Sequence, residues 1–168
     1  LLDGPISKGA SGEGKGSFML AGRRTYADLF TGFVEDLDGT TANFYDLNLK
    51  ANYNLNEKNR LFLSGYFGRD RFELESFLGT VWGNATGTLR WTSILNEKLF
   101  LQTSAIYSNY DYNLDNLRSG SEFTWSSNII NYILKPRLSR YINSKNTLRT
   151  GIDFTYYDFN PGEINAIE

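Results

Sequence analysis

Tyr45-Asp46-Leu47-Asn48-Leu49-Lys50-Ala51-Asn52-Tyr53-Asn54-Leu55 is the stretch that decides the fold class. Every odd position is apolar or aromatic, and every even position is Asp, Asn or Lys. Successive side chains of a strand point to opposite faces, so this alternation builds one apolar and one polar face. Wound into a helix, the same residues would scatter their apolar groups around the axis. The stretch is also as long as the ~9–11 residues with which a tilted strand crosses a bilayer.

Working outward, the same pattern predicts strands over 17–29, 44–55, 60–71, 81–94, 99–113, 122–142 and 147–159, with residues 1–7 as the tail of one more. In the last of these, Leu148, Thr150, Ile152, Phe154 and Tyr156 share one face, and Arg149, Gly151, Asp153, Thr155 and Tyr157 the other. In 81–94, Val81, Gly83, Ala85, Gly87, Leu89 and Trp91 oppose Trp82, Asn84, Thr86, Thr88, Arg90 and Thr92. Three asparagine-rich stretches, Asn56-Glu57-Lys58-Asn59, Asn96-Glu97-Lys98 and Asn143-Ser144-Lys145-Asn146, join strand pairs. Asparagine bonds its own turn and tolerates left-handed backbone, so each reads as a tight hairpin. The connections at the opposite end, near 30–43, 72–80 and 114–121, read as longer loops.

Composition agrees. The chain has 168 residues, enough for one domain, with 17 Lys and Arg against 19 Asp and Glu. A net charge of −2 lacks the clustered basic excess of a nucleic-acid binder. Cys and His are both absent, which excludes disulfides, thiolate and imidazole metal sites and His-based triads within these residues. No apolar run approaches the ~18–20 residues of a membrane helix. Yet 15% of residues are aromatic, and mean hydropathy is only −0.40. Strands that show lipid only their alternate residues have this profile. Short turns at one end and aromatics gathered near strand ends point the same way. The expected fold is therefore all-β: an antiparallel, up-and-down transmembrane β-barrel. A soluble meander or lipocalin-like barrel is the alternative.

Gly4-Pro5-Ile6-Ser7-Lys8, followed by Ser17-Phe18-Met19-Leu20-Ala21-Gly22-Arg23-Arg24-Thr25-Tyr26-Ala27-Asp28-Leu29, resembles the early barrel of TonB-dependent outer-membrane receptors of the Bacteroidota type. Phe44-Tyr45-Asp46-Leu47-Asn48, Leu63-Ser64-Gly65-Tyr66-Phe67-Gly68-Arg69-Asp70, Trp82-Gly83-Asn84, Tyr107-Ser108-Asn109-Tyr110-Asp111-Tyr112 and Asp158-Phe159-Asn160-Pro161-Gly162-Glu163 are similar to that family in the same order. The resemblance implies a barrel of about 22 strands, of which some seven or eight are here, enclosing an N-terminal plug. It implies residence in the bacterial outer membrane and import of a scarce ligand with energy from TonB, ExbB and ExbD. The implied partners are outer-membrane lipid, the protein's own plug and remaining strands, and a surface lipoprotein. Residues 1–168 carry neither a plug nor a TonB box, and Ala166-Ile167-Glu168 lacks a terminal aromatic, so the expectation is a partial barrel domain. Two further readings are a small complete eight-stranded outer-membrane barrel with a structural or adhesive role, and a soluble ligand-binding barrel.

Parity assigns Asp46, Asn48, Lys50, Asn52, Ser64, Tyr66, Asn84, Thr86, Thr88, Arg90, Asn131, Arg149, Asp153 and Tyr157 to a polar lumen face that meets the plug or lines water. Arg23 and Arg24 are adjacent, so strict alternation would aim one of them at lipid. A bulge at Gly22 is expected to turn both inward, where they could hold plug carboxylates. Phe77, Trp82, Tyr110 and Tyr112 are candidates to stack on a ligand in the outer-end loops. Pro136 is expected to interrupt its strand, because it cannot donate a ladder bond.

Other motifs carry little chemistry. Gly9-Ala10-Ser11-Gly12-Glu13-Gly14-Lys15-Gly16 imitates a phosphate loop, but a strand follows it where a helix should. No two carboxylates are paired as glycoside hydrolysis needs. Asp36, Asp38, Asp111 and Asp115 have oxygen ligands suited to Ca²⁺, at loose spacing. Asn84-Ala85-Thr86 fits a glycosylation sequon but falls inside a strand. No catalytic residue, metal site or cofactor is expected, and the chain does not read as an enzyme.

Overall fold

The computed structural model describes residues 1–8, 14–25, 40–74 and 77–166. They form nine strands: β1 (Leu2–Lys8), β2 (Gly14–Arg24), β3 (Thr41–Asn56), β4 (Asn59–Leu74), β5 (Leu78–Asn96), β6 (Leu99–Asn116), β7 (Phe123–Tyr141), β8 (Thr147–Gly151) and β9 (Phe154–Ala166). All belong to one antiparallel sheet in which each strand pairs with the next, β1 through β8, while β9 also pairs with β7. β1 and β9 pair on one side only among the described residues, so the sheet is open.

The turns are built as their asparagines dictate. Asn56 Oδ1 accepts from the Lys58 N–H at 3.0 Å, and Asn96 Oδ1 from the Lys98 N–H at 3.0 Å. Asn143 Oδ1 takes the N–H groups of Lys145 at 3.0 Å and Asn146 at 2.9 Å. One side-chain carbonyl in each turn thus satisfies the donors that a reversing chain leaves unpaired.

At the other end the strands run further than expected. The stretch read as a loop over 72–80 is mostly strand, because Leu74 pairs directly with Leu78. Arg71, Phe72 and Glu73 continue the alternation and find partners in Val81, Thr80 and Gly79. The 114–121 loop shrinks in the same way to 117–122. Of the 30–43 loop and the end of the 17–29 strand, residues 26–39 lie outside the described residues.

β8 and β9 are two parts of one strand interrupted at 152–153. The interruption sits opposite Pro136. Ile152 N–H donates to the Pro136 carbonyl at 3.2 Å, but the proline nitrogen has no hydrogen to return. A residue in an antiparallel strand sends its N–H and C=O to the same neighbour. The loss therefore falls on one side alone, and pairing to β6 runs unbroken through Thr103↔Pro136. A second irregularity lies in β9, where Asn160 to Glu163 oppose only Ser126 to Asn128. Gly162 holds φ +128° there, and a Cβ at that position would collide with Trp125 Nε1.

Among the described residues no apolar side chain is buried. A single sheet has two faces and no second layer to cover either, whereas an ordinary domain packs at least two layers around a core.

Candidate functional site

The register carries one face across the whole sheet. Asp46 pairs with Arg23 and Gly68, Asn48 with Tyr66, Lys50 with Ser64, and Asn52 with Ser17 and Phe62. Through β5 the same face continues as Asn84, Thr86, Thr88 and Arg90. It ends with Asn131, Arg149, Asp153 and Tyr157. Every residue assigned by parity to the polar face is on it.

The bulge expected at Gly22, which would have turned Arg24 onto this face beside Arg23, requires a correction. Gly22 pairs regularly with Leu47, Arg23 with Asp46 and Arg24 with Tyr45. No bulge forms: the β2–β3 register runs without a shift from Gly16 to Arg24. Alternation then sends the two arginines to opposite faces, and they do not form a joint clamp.

Two ionic clusters mark the polar face. Arg23 Nε donates to Asp46 Oδ2 at 2.7 Å, and Asn48 Nδ2 to Asp46 Oδ1 at 3.2 Å. The Asp46 side chain is only 10% exposed while that of Arg23 is 70% exposed, so the carboxylate is covered and the guanidinium remains open to a partner. The second cluster is Arg137 Nη2 to Asp153 Oδ1 at 2.7 Å, with Lys135 Nζ 4.0 Å from the same carboxylate. Gly151 makes room for it, because a Cβ there would press on Arg137 Cδ at 2.5 Å. Lys135 and Arg137 were missed in the sequence, although the parity of Asn131 along the same strand already placed them here. Between the clusters, Arg90 stacks on Phe62 with its guanidinium 4.9 Å from the ring centroid. Thr80 Oγ1, Asn84 Oδ1 and Asn131 Oδ1, all on this face, have no hydrogen-bond partner among the described residues.

The aromatic candidates divide. Trp82, Tyr110 and Tyr112 belong to strands rather than loops, on the polar face toward its loop end. Trp82 pairs with Tyr112, and Tyr112 meets Trp125 edge-on at 5.6 Å, forming an aromatic wall. Phe77 stands apart in the β4–β5 connection, its backbone bonded to Leu74 and Leu117. Asp111 is engaged by Arg69 at 3.2 Å, and Asp115 accepts from Thr124 Oγ1 at 2.8 Å. Both lie on the other face, and Asp36 and Asp38 lie outside the described residues. So do residues 9–13 of the phosphate-loop lookalike, while Asn84-Ala85-Thr86 sits within β5.

The second face is zoned along the strands. Toward the hairpin turns it is apolar at alternate positions, with Thr103 the exception: Leu61 to Phe67 in β4, Leu99 to Tyr107 in β6 and Ile130 to Leu138 in β7. Tyr107, Tyr132 and Tyr156 form a ladder across its upper margin, with ring centroids 5.4 and 6.3 Å apart. At the lower margin, Trp91 Nε1 donates to Asn59 Oδ1 at 3.0 Å. Above the ladder the same face turns polar, with Arg69, Arg71 and Glu73 in β4 and Asp111 and Asp115 in β6. Comparison with protein-family models, curated proteins and solved structures finds no match to the chain.

Proposed function

We propose that this chain is part of the barrel wall of a TonB-dependent outer-membrane receptor, which imports a scarce ligand with energy from TonB, ExbB and ExbD and performs no chemistry on it. The observation that carries the reading is the zoned second face: an apolar band of seven to nine residues along each of β4, β6 and β7, edged by Tyr and Trp and capped by charge. Lipid covers that band, and the polar face lines the lumen. Arg23, held on Asp46, offers its exposed guanidinium to a plug carboxylate, and Asp153 with Arg137 and Lys135 offers a second mixed-charge contact. The wall of Trp82, Tyr110, Tyr112 and Trp125 stacks on ligand entering from the loop end. The open edges of β1 and β9 accept neighbouring barrel strands, which favours the receptor over a closed eight-stranded barrel. A surface lipoprotein would meet the loop end.

The test is growth of the producing bacterium on a panel of limiting nutrients, with this gene or the TonB gene deleted. The reading expects one nutrient whose uptake is lost in both strains. Uptake lost in the first strain and intact in the second overturns it.

A further inference from the structure

Face, register and charge together place a group of arginines where no import step uses them. Arg24 and Arg69 flank Tyr45 on the second face, Arg24 pairing with Tyr45 on one side and Arg69 on the other. They are one strand apart from it on each side, so their backbones are separated by roughly 10 Å. Arg71 follows two positions along β4 on the same face, ~7 Å away. All three stand just above the apolar band, whose nearest members are Leu47 and Phe67.

The facing carboxylates do not saturate Arg69 and Arg71. Arg69 Nη1 reaches Asp111 Oδ2 at 3.2 Å across Gly83, where a Cβ would come within 2.8 Å of Asp111 Oδ1. Arg71 Nε binds Glu73 Oε1 at 3.0 Å, supported by its Nη2. A guanidinium carries more N–H donors than one carboxylate takes up, so each of the two retains donors beyond that pair.

Below Arg69 and to the side of β5 to β9, the apolar face is hollow. Gly65 and Gly87 pair side by side, between Leu49 on one flank and Tyr107 on the other. A Cβ on Gly87 would meet nothing within 4 Å. The hollow measures about 790 Å³ and is lined by Leu63, Leu89, Tyr107, Tyr132 and Tyr156. Gly65 lies four residues below Arg69 on the same strand and face, ~13 Å, the span from a headgroup phosphate into the acyl region.

We propose that this surface binds one anionic membrane lipid, its phosphate held by Arg24, Arg69 and Arg71 beside the Tyr45 hydroxyl and an acyl chain laid over Gly65 and Gly87. The inference rests on the reading that the second face lies against lipid. It also explains why an arginine is accommodated on that face at Arg24: a guanidinium at headgroup depth meets phosphate rather than hydrocarbon.

The test reconstitutes the full-length protein in bilayer discs of phosphatidylcholine with a minor share of phosphatidic acid, extracts it with mild detergent and measures the co-purifying lipid. Phosphatidic acid should be enriched over phosphatidylcholine, and Arg24→Gln with Arg69→Gln and Arg71→Gln should lower that enrichment about tenfold. Gly87→Leu, which fills the hollow and leaves every arginine, should lower it as well. Added inorganic phosphate should not displace the lipid. Displacement by inorganic phosphate overturns the lipid assignment in favour of a free-phosphate site. Insertion without enrichment, or enrichment that survives the triple substitution in a protein retaining its strand circular dichroism, overturns this inference alone. A protein that fails to enter the bilayer overturns both this inference and the membrane reading.

Discussion

At the scale of single residues, glycine and proline decide where the ladder can continue. Gly162 sits at φ +128° against the Trp125 indole, a conformation that strains any other residue. Gly162→Ala should destabilise the β7–β9 pairing by ~1–3 kcal/mol and shift the Trp125 emission, measured by tryptophan fluorescence during urea unfolding in micelles. Pro136 deprives Ile152 of a donor. Pro136→Thr should supply it, so the new amide at 136 should exchange with solvent as slowly as that of Arg137; fast exchange there would contradict the one-sided break. Asp46→Ala removes a contact whose arginine side chain is 70% exposed, so its effect on stability should be small, about 1 kcal/mol or less in the same urea titration. A larger loss would mean that Asp46 also anchors groups beyond Arg23 and Asn48.

At the scale of strands, the faces were legible before the strand ends were. Alternation over Tyr45–Leu55 fixes which residues go together, and register then extends that sorting from Arg23 to Asp153 without an error in parity. The asparagine turns were readable for the same reason, because each is a local device complete within four residues. What one strand cannot reveal is what its neighbour does. The 72–80 stretch looked like a loop because Leu74 and Leu78 count as strand residues only once they pair. The separation of Arg23 from Arg24 likewise depended on whether β2 stayed in register with β3 through Gly22. The aromatic wall joins Tyr112 of β6 to Trp125 of β7, and sequence spacing alone does not bring the two together. The two faces also differ in what they tolerate. Leu89→Arg, within the apolar band, should cost ~2–4 kcal/mol in lipid vesicles, whereas Thr88→Arg on the opposite face should cost little. Equal costs in equilibrium unfolding would mean that the faces share one environment.

At the scale of the whole molecule, the central fact is a sheet with no buried apolar side chain among the described residues and a continuous apolar band on one side. Hydrophobic burial is the main favourable term in folding, so that band must be covered in the folded protein. In the proposed receptor, lipid covers the band and the polar face lines a water-filled or plugged lumen. The chain contains no cysteine, so single cysteines report cleanly on this assignment. The most direct measurement is spin-label accessibility in bilayers, with labels placed in turn at Leu47, Leu49 and Leu89 and at Asn48, Lys50 and Thr88. The account predicts that the first three collide with oxygen and are shielded from a water-soluble nickel chelate, and that the second three show the reverse. Labels at Leu47, Leu49 and Leu89 that meet the chelate as freely as those at Asn48, Lys50 and Thr88 would contradict it.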